Sequence, residues 1–590
     1  MLKQSSLKHI TSIRRLSRAQ ILKLLDRAIA LMLGMLDRQR MNVFERDSRI
    51  PPGYMSLMLQ RSTGTRTSFE TAAFWIGCSR PTGSIDDINR TSVSKGESLH
   101  EFVRRLYLQA GINFFGIRSE IEGLSLALAL EFDRHHPPHT LIGPEFSFFN
   151  AGEGSRYHPT QVLLDLLCMV VWGLFRQSID ANPKGATGRS EFAAALRKFI
   201  EQKADTRTAQ IASVLDGKTI CFAGDLESRI LYDFLALAEA DAESGYPKFD
   251  LHFLLVAPEF ARIARTYLAR IPGRASVIDD FNPDLPADYF YRLRFRREDR
   301  DPRFEAVIDE CERSYRITRA FVERLRTREK PGFVLDALPI DKVAPAIEVD
   351  AWDHPNVICW LQAFCSCPLR AACLAEAHGC WRDDVSAIHS RWQLIDPLPA
   401  PLSFSQERSL KEHHERVSAQ KRSRRLVQVK VGSALDHLPV GMAEVIRRVL
   451  GGLGFKGQIL SSDKTPVEGR PGYLKDILWF PDVFLHEWDP QILTIINLIT
   501  GGQVTYNTFN QDADELKKFE CGTTSHVVGV LRCPRPQCVD AHRLEVPVTP
   551  MFEVFHEDKA THARCCYCGS IHAPGVMLET LRRSLGIHQQ

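Results

Sequence analysis

The sequence predicts a multidomain α/β protein, and three observations lead there. Apolar runs of strand length alternate with helical patterns through the first third of the chain, the signature of parallel sheets covered by helices. At 590 residues the chain exceeds a single domain of about 100–200, so several domains are expected. A proline-rich and then charged stretch near residue 400 divides it, and a cysteine-rich end follows.

The elements read in order as follows. Ser17-Arg-Ala-Gln20 is a capping box, and Ile21, Leu24, Leu25, Ala28 and Met32 follow at helical spacing. Met55 to Leu59 reads as a buried strand, followed by the polar loop RSTGT and a helix, RTSFETAAFWIG. Ile112–Ile117, Thr219–Ala223 and Phe253–Val256 are further strands, each followed by a turn or helix signal. The polar stretch 176–210 interrupts the pattern and is expected to be a surface insertion with some helix. DPLPAP at 396–401 and the mixed-charge run Ser403 to Arg425 mark a linker. Leu426–Val431 reopens an α/β pattern that runs to about Asn510, and the part from about Val527 is strand-like.

Lys and Arg total 75 against 72 Asp and Glu, a net charge of +3, which gives no whole-chain reason to invoke nucleic acid or an anionic membrane. The start of the chain has no apolar run fit for a signal peptide. The most apolar stretch, Leu163 to Phe175, contains Asp165 and is too short for a bilayer. Nine of the 15 cysteines precede residue 400, and five of the other six fall between Cys533 and Cys568. Without an export signal, such a cluster points to metal rather than disulfides, and a soluble cytoplasmic protein is expected.

Two segments carry chemistry. Ser62-Thr63-Gly64-Thr65-Arg66-Thr67-Ser68 lies between a strand and a helix start, where hydroxyls, free backbone N–H groups and the helix dipole suit a phosphate. Read alone, such an entry is more often a simple cap. His158-Pro-Thr-Gln161 opens the next long helix, placing an imidazole that can polarise a carbonyl beside an amide that can accept from an NH2 group.

Together these motifs resemble the aspartate/ornithine carbamoyltransferase family. LKHITSIRRLSR, STGTRTSFETA, SVSKGES, FNAGEGSRYHPTQVLLDLL and AGDLESR follow the order of its aspartate branch over about residues 7–380. The resemblance implies that Ser62, Thr63 and Thr65 hold the phosphate of carbamoyl phosphate, with Arg66 mainly structural. Thr65, Arg118 and His158 would surround the carbamoyl oxygen, Gln161 would orient the carbamoyl nitrogen, and Leu338 would line the same pocket. Ser92 and Lys95 would reach into a neighbouring subunit's site, which requires a homo-oligomer built on catalytic trimers. Arg229 and Arg294 would grip the two carboxylates of L-aspartate, for which the guanidinium fork is suited.

Four positions depart from that pattern. Gly64 stands where the resembled enzymes carry an arginine that contacts the leaving phosphate, and losing such a donor costs about 2.7–4 kcal/mol in a transition state. The GDLESR segment is one residue short, Asp336-Ala337-Leu338-Pro339 replaces a His-Pro-Leu-Pro loop, and Arg296 replaces a glutamine. The implied activity is carbamoyl transfer from carbamoyl phosphate to L-aspartate in pyrimidine synthesis. The rival reading is a catalytically inactive homologue serving as an assembly or regulatory partner.

Cys533-Pro-Arg-Pro-Gln-Cys538 and Cys565-Cys-Tyr-Cys568 give a C-x4-C and C-x2-C pair separated by 26 residues, spacing suited to a tetrahedral structural Zn2+ with Cys565 preferred over Cys566. Cys365, Cys367, Cys373 and Cys380 lie along one helix and are expected to pack rather than to bind a second metal. LVQVKVGSALDHLPVGMAEVIRRVLG and the RCPRPQC…CCYC segment resemble the regulatory chain of the same family over about residues 425–585. This resemblance implies a fused catalytic–regulatory chain with CTP or ATP as effectors, and Val429, Lys430, Asp436, His437, Lys475 and Lys518 match effector positions. Trp479 falls where a nucleotide-contacting lysine is expected. No nucleic acid polymer and no membrane partner are expected. The predicted architecture is thus two doubly wound carbamoyltransferase subdomains, an α/β nucleotide-binding regulatory domain and a small zinc-binding β domain. Their expected bounds are 1–155, 156–385, a linker at 386–424, 425–525 and 526–590.

Overall fold

The computed structural model describes most of the chain. Residues 1–6, 37–50, 61, 79–83, 86–90, 136–145, 181–185, 240–245, 257–267, 269–270, 296–304, 337–344, 379–401, 420–429, 453–454, 468–469, 486–489, 502–503, 542–547, 558–559 and 585–590 lie outside the described residues. The chain divides into two compact units, Lys3–Trp392 as one and Gln393–Gln590 together with Met1–Leu2 as the other.

The first unit holds two parallel sheets. Strands β1 (Gly53–Met58), β2 (Ser84–Ile85), β3 (Ile112–Ser119) and β4 (Ser147–Glu153) form a sheet in the order β2-β1-β3-β4. Strands β5 (Lys218–Gly224), β6 (Leu251–Val256), β7 (Ala275–Ile278), β8 (Tyr289–Leu293) and β9 (Phe333–Asp336) form the second, in the order β7-β6-β5-β8-β9. All pairings in both are parallel. In each sheet the winding direction reverses beside the first strand, between β1 and β3 and between β5 and β8. Open α/β sheets bind ligands at the carboxyl ends of the strands flanking such a reversal.

The Ser17–Gln20 capping box forms as its sequence predicts: Gln20 N donates to Ser17 Oγ at 3.2 Å and Ser17 N to Gln20 Oε1 at 2.9 Å. It opens helix Arg18–Leu36, which packs with helices Pro159–Asp180 and Cys359–His378 in the main core.

Two expectations are corrected here. The 176–210 stretch is not a surface insertion: helix Pro159–Asp180 runs into it, and helices Ala186–Ile200 and Ala204–Leu215 pack on that helix. Phe192, Leu196 and Phe199 repeat at helical spacing and are buried in the core, a stripe that the polar composition around it hid. The apolar helix is also longer than Leu163–Phe175 suggests. Pro159–Ile179 has the length and composition to cross a membrane, yet 72% of its apolar window is buried inside the protein.

In the second unit, β11 (Val431–Leu438), β12 (Gln458–Val467), β13 (Arg470–Pro481), β14 (Thr505–Asn510) and β15 (Glu515–Cys521) make an antiparallel sheet. Helices Met442–Gly452 and Pro490–Thr500 cover one face through Leu435, Ile446, Leu450, Leu493 and Ile496. The segment assigned to the linker is partly folded: β10 (Leu402–Ser409) pairs antiparallel with β15, and helix Leu410–Ala419 follows it. Leu410 joins Trp479, Ala434, Ile477, Phe509 and Leu516 in a separate cluster on the other face. A small antiparallel sheet of β16 (His526–Val528), β17 (Met551–Glu557), β18 (Ala560–Cys565) and β19 (Ile571–His572) carries the terminal cysteines.

Candidate active site and metal centre

β1 ends at Met58 and helix Thr63–Ile76 begins five residues on, so Ser62, Thr63 and Thr65 sit at the reversal point of the first sheet. Ser62 is the N-cap residue, but its side chain makes no capping hydrogen bond, and no acidic residue lies in the first turn. A side-chain hydroxyl and the first-turn N–H groups are thereby left to an anion. Gly64 occupies ordinary helical backbone, and a Cβ placed there meets nothing within 4 Å. Arg66 lies half-buried two positions further along this helix.

Arg118 comes from the carboxyl end of β3, beside that loop. His158 follows β4, and Arg229 opens helix Arg229–Ala238 after β5. Gly152, at φ +111, shows how closely these three converge. A Cβ there would lie 2.7 Å from Arg118 Nη1, 2.9 Å from Arg229 Nη1 and 3.0 Å from His158 Cδ2. Only a glycine leaves that space, so the backbone of β4 is cut away where residues from both sheets meet.

The electrostatics follow from this packing. Burial, and then the charges of Arg118, Arg229 and Arg370, hold the His158 imidazole well below its usual range, so it is neutral at physiological pH. Burial brings Arg118 down to about 10. The Nε atoms of Arg118 and Arg370 are buried without a hydrogen-bond partner among the described residues. Buried positive charge so placed favours a multiply charged anion.

Gln161 donates through Nε2 to Asp165 Oδ1 at 3.0 Å. Arg294 lies one residue past β8, half-buried, at the carboxyl edge shared with the loop leading to Arg229. Its neighbour Arg292 is spent on backbone, donating to the carbonyls of Tyr315 at 3.1 Å, Ala223 at 3.3 Å and Leu293. Ser92 and Lys95 form a short turn, Ser92–Lys95, in which the Glu97 carboxylate accepts from Ser92 Oγ and from Arg105 Nε at 2.9 Å. Leu338 and Arg296 lie outside the described residues.

Arg370 and Asp233 are the residues that the sequence reading missed. Arg370 Nη1 donates to Ser68 Oγ, and the guanidinium lies 4.9 Å from the Phe69 ring centroid, behind the phosphate-loop helix. Burial brings it too down to about 10. It is the sole Lys or Arg in the apolar helix Cys359–His378, and Asp233 is the sole carboxylate in RILYDFLALA. A lone charge in an apolar helix was the available signal.

In the second unit Lys475 Nζ lies 2.6 Å from Asp436 Oδ1, and His437 N donates to the same oxygen at 2.7 Å. His437 has φ 63 at the register shift of β11, with Nδ1 3.1 Å from Thr505 Oγ1. Lys518 shares this face, paired through Asn507 of β14 with Ala434. Trp479 is buried in the Leu410 cluster, its ring 5.5 Å from that of Phe509. Lys430 is exposed just before β11, and Val429 lies outside the described residues.

Cys533, Cys538, Cys565 and Cys568 are all buried, with their sulfurs within 4.8 Å of one another. Cys533 and Cys568 have their sulfurs 3.6 Å apart, and Cys538 and Cys565 theirs 3.7 Å apart. A tetrahedron with Zn–S bonds of about 2.3 Å has sulfurs about 3.8 Å apart, so these residues fit a structural zinc. Asp540 braces the site, accepting from Cys533 N at 2.6 Å and Arg532 Nη1 at 3.0 Å. Cys365 and Cys373 instead pack in the apolar core, and among the described residues no second cluster of metal-ligating groups forms.

Residues 8–170 match the family described as aspartate/ornithine carbamoyltransferase, carbamoyl-P binding domain. Residues 525–575 match the metal binding domain of the aspartate carbamoyltransferase regulatory chain. Both matched descriptions name carbamoyltransferase components, one catalytic and one regulatory. The aspartate carbamoyltransferase catalytic subunit of Thermoplasma acidophilum is 27% identical over 330 residues, covering 55% of this chain and 84% of that relative. That of Methanocaldococcus jannaschii is 26% identical over 377 residues, covering 63% and 97%. The solved catalytic subunit of the M. jannaschii aspartate transcarbamoylase aligns with a TM-score of 0.43 at 21% identity, covering 63% of this chain and 99% of that one. The N-terminal match takes in the phosphate loop, Arg118, His158 and Gln161, and the C-terminal match takes in the four cysteines.

Proposed function

We propose that this protein transfers the carbamoyl group of carbamoyl phosphate to L-aspartate, giving N-carbamoyl-L-aspartate and phosphate for pyrimidine synthesis. The observation that carries the reading is the convergence of Arg118, Arg229 and a neutral His158 on Gly152, beside a helix N-terminus fit for phosphate.

In this reading the phosphate rests on Ser62, Thr63, Thr65 and the first-turn N–H groups, with Arg370 adding positive charge from behind. The aspartate amine attacks the carbamoyl carbon, the oxygen gains negative charge, and Thr65, Arg118 and His158 stabilise it while the C–O bond to phosphate breaks and the amine proton passes to the departing phosphate. Arg229 and Arg294 hold the aspartate carboxylates. Rate comes from orientation and charge stabilisation, without a covalent intermediate. Ser92 and Lys95 complete the site of a neighbouring copy in a trimer. Asp436, His437, Lys475 and Lys518 hold a nucleoside triphosphate effector, with Trp479 altering the site at the lysine it replaces.

Gly64 favours one second reading, a site impaired enough that the chain serves as an assembly or regulatory partner. Assay of purified, zinc-loaded protein for N-carbamoylaspartate separates the two. Product formation is expected, and folded, silent protein leaves the partner role.

A further inference from the structure

Asp165 sits one helical turn after Gln161 and gathers three donors. Its Oδ1 accepts from Gln161 Nε2 at 3.0 Å and from Gln362 Nε2 at 2.5 Å, and its Oδ2 accepts from the Tyr291 hydroxyl at 2.9 Å. Asp165, Tyr291 and Gln362 are all buried. The anchors come from elsewhere in the fold: Tyr291 from β8, and Gln362 from helix Cys359–His378, where its Oε1 also accepts from Asp336 N at the end of β9, at 3.4 Å. A glutamine amide in an open site can turn either end toward a substrate. Burial raises the Asp165 carboxyl to about 7 against the opposing pull of its three donors. In its ionised form it only accepts, so it binds the NH2 end of Gln161 and turns the carbonyl end away from itself.

Resting on the function proposed above, we infer that Asp165 is a positioning residue: held by Tyr291 and Gln362, it fixes the Gln161 amide so that its carbonyl oxygen accepts from the carbamoyl NH2 group. Gln161 thereby discriminates a carbamoyl NH2 from an oxygen at the same place, because a reversed amide would offer the substrate a donor where it needs an acceptor. The arrangement also makes carbamoyl-group recognition depend on β8 and β9 of the second sheet.

The test is a double-mutant cycle of Asp165→Asn and Gln161→Ala. It is read by kcat and KM for carbamoyl phosphate, by calorimetric binding of carbamoyl phosphate, and by thermal unfolding. An asparagine no longer selects one end of the glutamine amide. Asp165→Asn is expected to lower kcat/KM for carbamoyl phosphate about 10–100-fold in the wild-type background, the range for losing a hydrogen bond to a charged group. In the Gln161→Ala background it is expected to change it less than about twofold, since coupled residues are not additive. Tyr291→Phe, which keeps the ring in place, should show the same pattern at smaller size and guards against misfolding of the asparagine variant. Equal losses in both backgrounds, or none in either, would overturn the inference. Wild-type protein that neither binds nor turns over carbamoyl phosphate overturns the proposed function itself. Wild-type binding matched by equal binding in Asp165→Asn overturns the positioning role alone.

Discussion

His158 and Asp233 are joined across the two sheets: the His158 backbone N–H donates to Asp233 Oδ2 at 2.6 Å. Asp233 stands one turn after Arg229 on the same helix, so one element both supplies a guanidinium and fixes the backbone of the imidazole beside it. Burial raises the Asp233 carboxyl to about 8 against the opposing pull of the His158 N–H, Arg14 and Arg229. The Asp233 carboxyl therefore serves as an acceptor for a backbone donor rather than as half of an ion pair.

Replacing that acceptor should cost activity by way of His158. Asp233→Ala leaves a buried N–H unsatisfied, at about 1–3 kcal/mol of stability, and frees the segment that carries the imidazole. A fall in kcat of about 10–100-fold is expected, since small misplacements of a catalytic group are costly. Asp233→Asn keeps an acceptor oxygen and should stay within a few-fold of wild type. Steady-state kinetics beside thermal unfolding decide this, and equal losses in both variants would argue against positioning.

Gly64→Arg has room: the glycine is in helical backbone and its Cβ direction is open. Thermal stability should shift little, by less than about 0.5 kcal/mol as for exposed surface changes. The added guanidinium should raise kcat for N-carbamoylaspartate formation by up to about 10²–10³, the worth of one donor to a developing charge. A rise well below tenfold in an active parent would indicate that Arg370, behind the same helix through Ser68, already supplies the charge. A parent and variant both silent would leave the partner reading.

The pattern of strands, the Ser17 capping box, the strand-to-helix loop at Ser62–Thr65 and the cysteine pairs were all legible because each rests on local spacing. Less legible were features made by distant residues. Phe192, Leu196 and Phe199 are buried only because helix Pro159–Asp180 offers them a face, so composition misassigned that stretch to the surface. Likewise β10 is polar enough to pass for linker, and it is a strand because the edge of β15 is there to pair with it. Arg370 escaped notice since nothing near it in sequence reveals that Ser68, some 302 residues away, receives its hydrogen bond.

The neutral state of His158 sets a pH signature. Its native pKa is depressed below 6.5 by burial and by the guanidiniums of Arg118, Arg229 and Arg370. Below about pH 6.5 the unfolded chain takes up a proton that the native chain refuses. Stability is thus withdrawn as pH falls through that value, by up to about 1.4 kcal/mol per pH unit, while above it this residue adds no pH dependence. Urea unfolding of wild type and His158→Gln between pH 5 and 8 measures the difference. The wild-type curve should drop relative to the variant on the acid side, and parallel curves would sink the assignment.

Zinc should hold the terminal sheet together, because a domain this small buries little apolar surface on its own. Cys533 and Cys538 come from one loop, whereas Cys565 ends β18 and Cys568 lies in the turn before β19, so a metal at the four sulfurs clamps loop to sheet. One zinc per chain is expected by elemental analysis. Chelation or Cys538→Ser should release it and open residues 526–584 to proteolysis. The parallel-sheet unit should survive, since its core of Phe114, Phe149 and Phe222 shares none of these residues. Loss of the metal with the terminal sheet still protected would show that packing of Met577 and Leu581, both buried on the last helix, suffices without it.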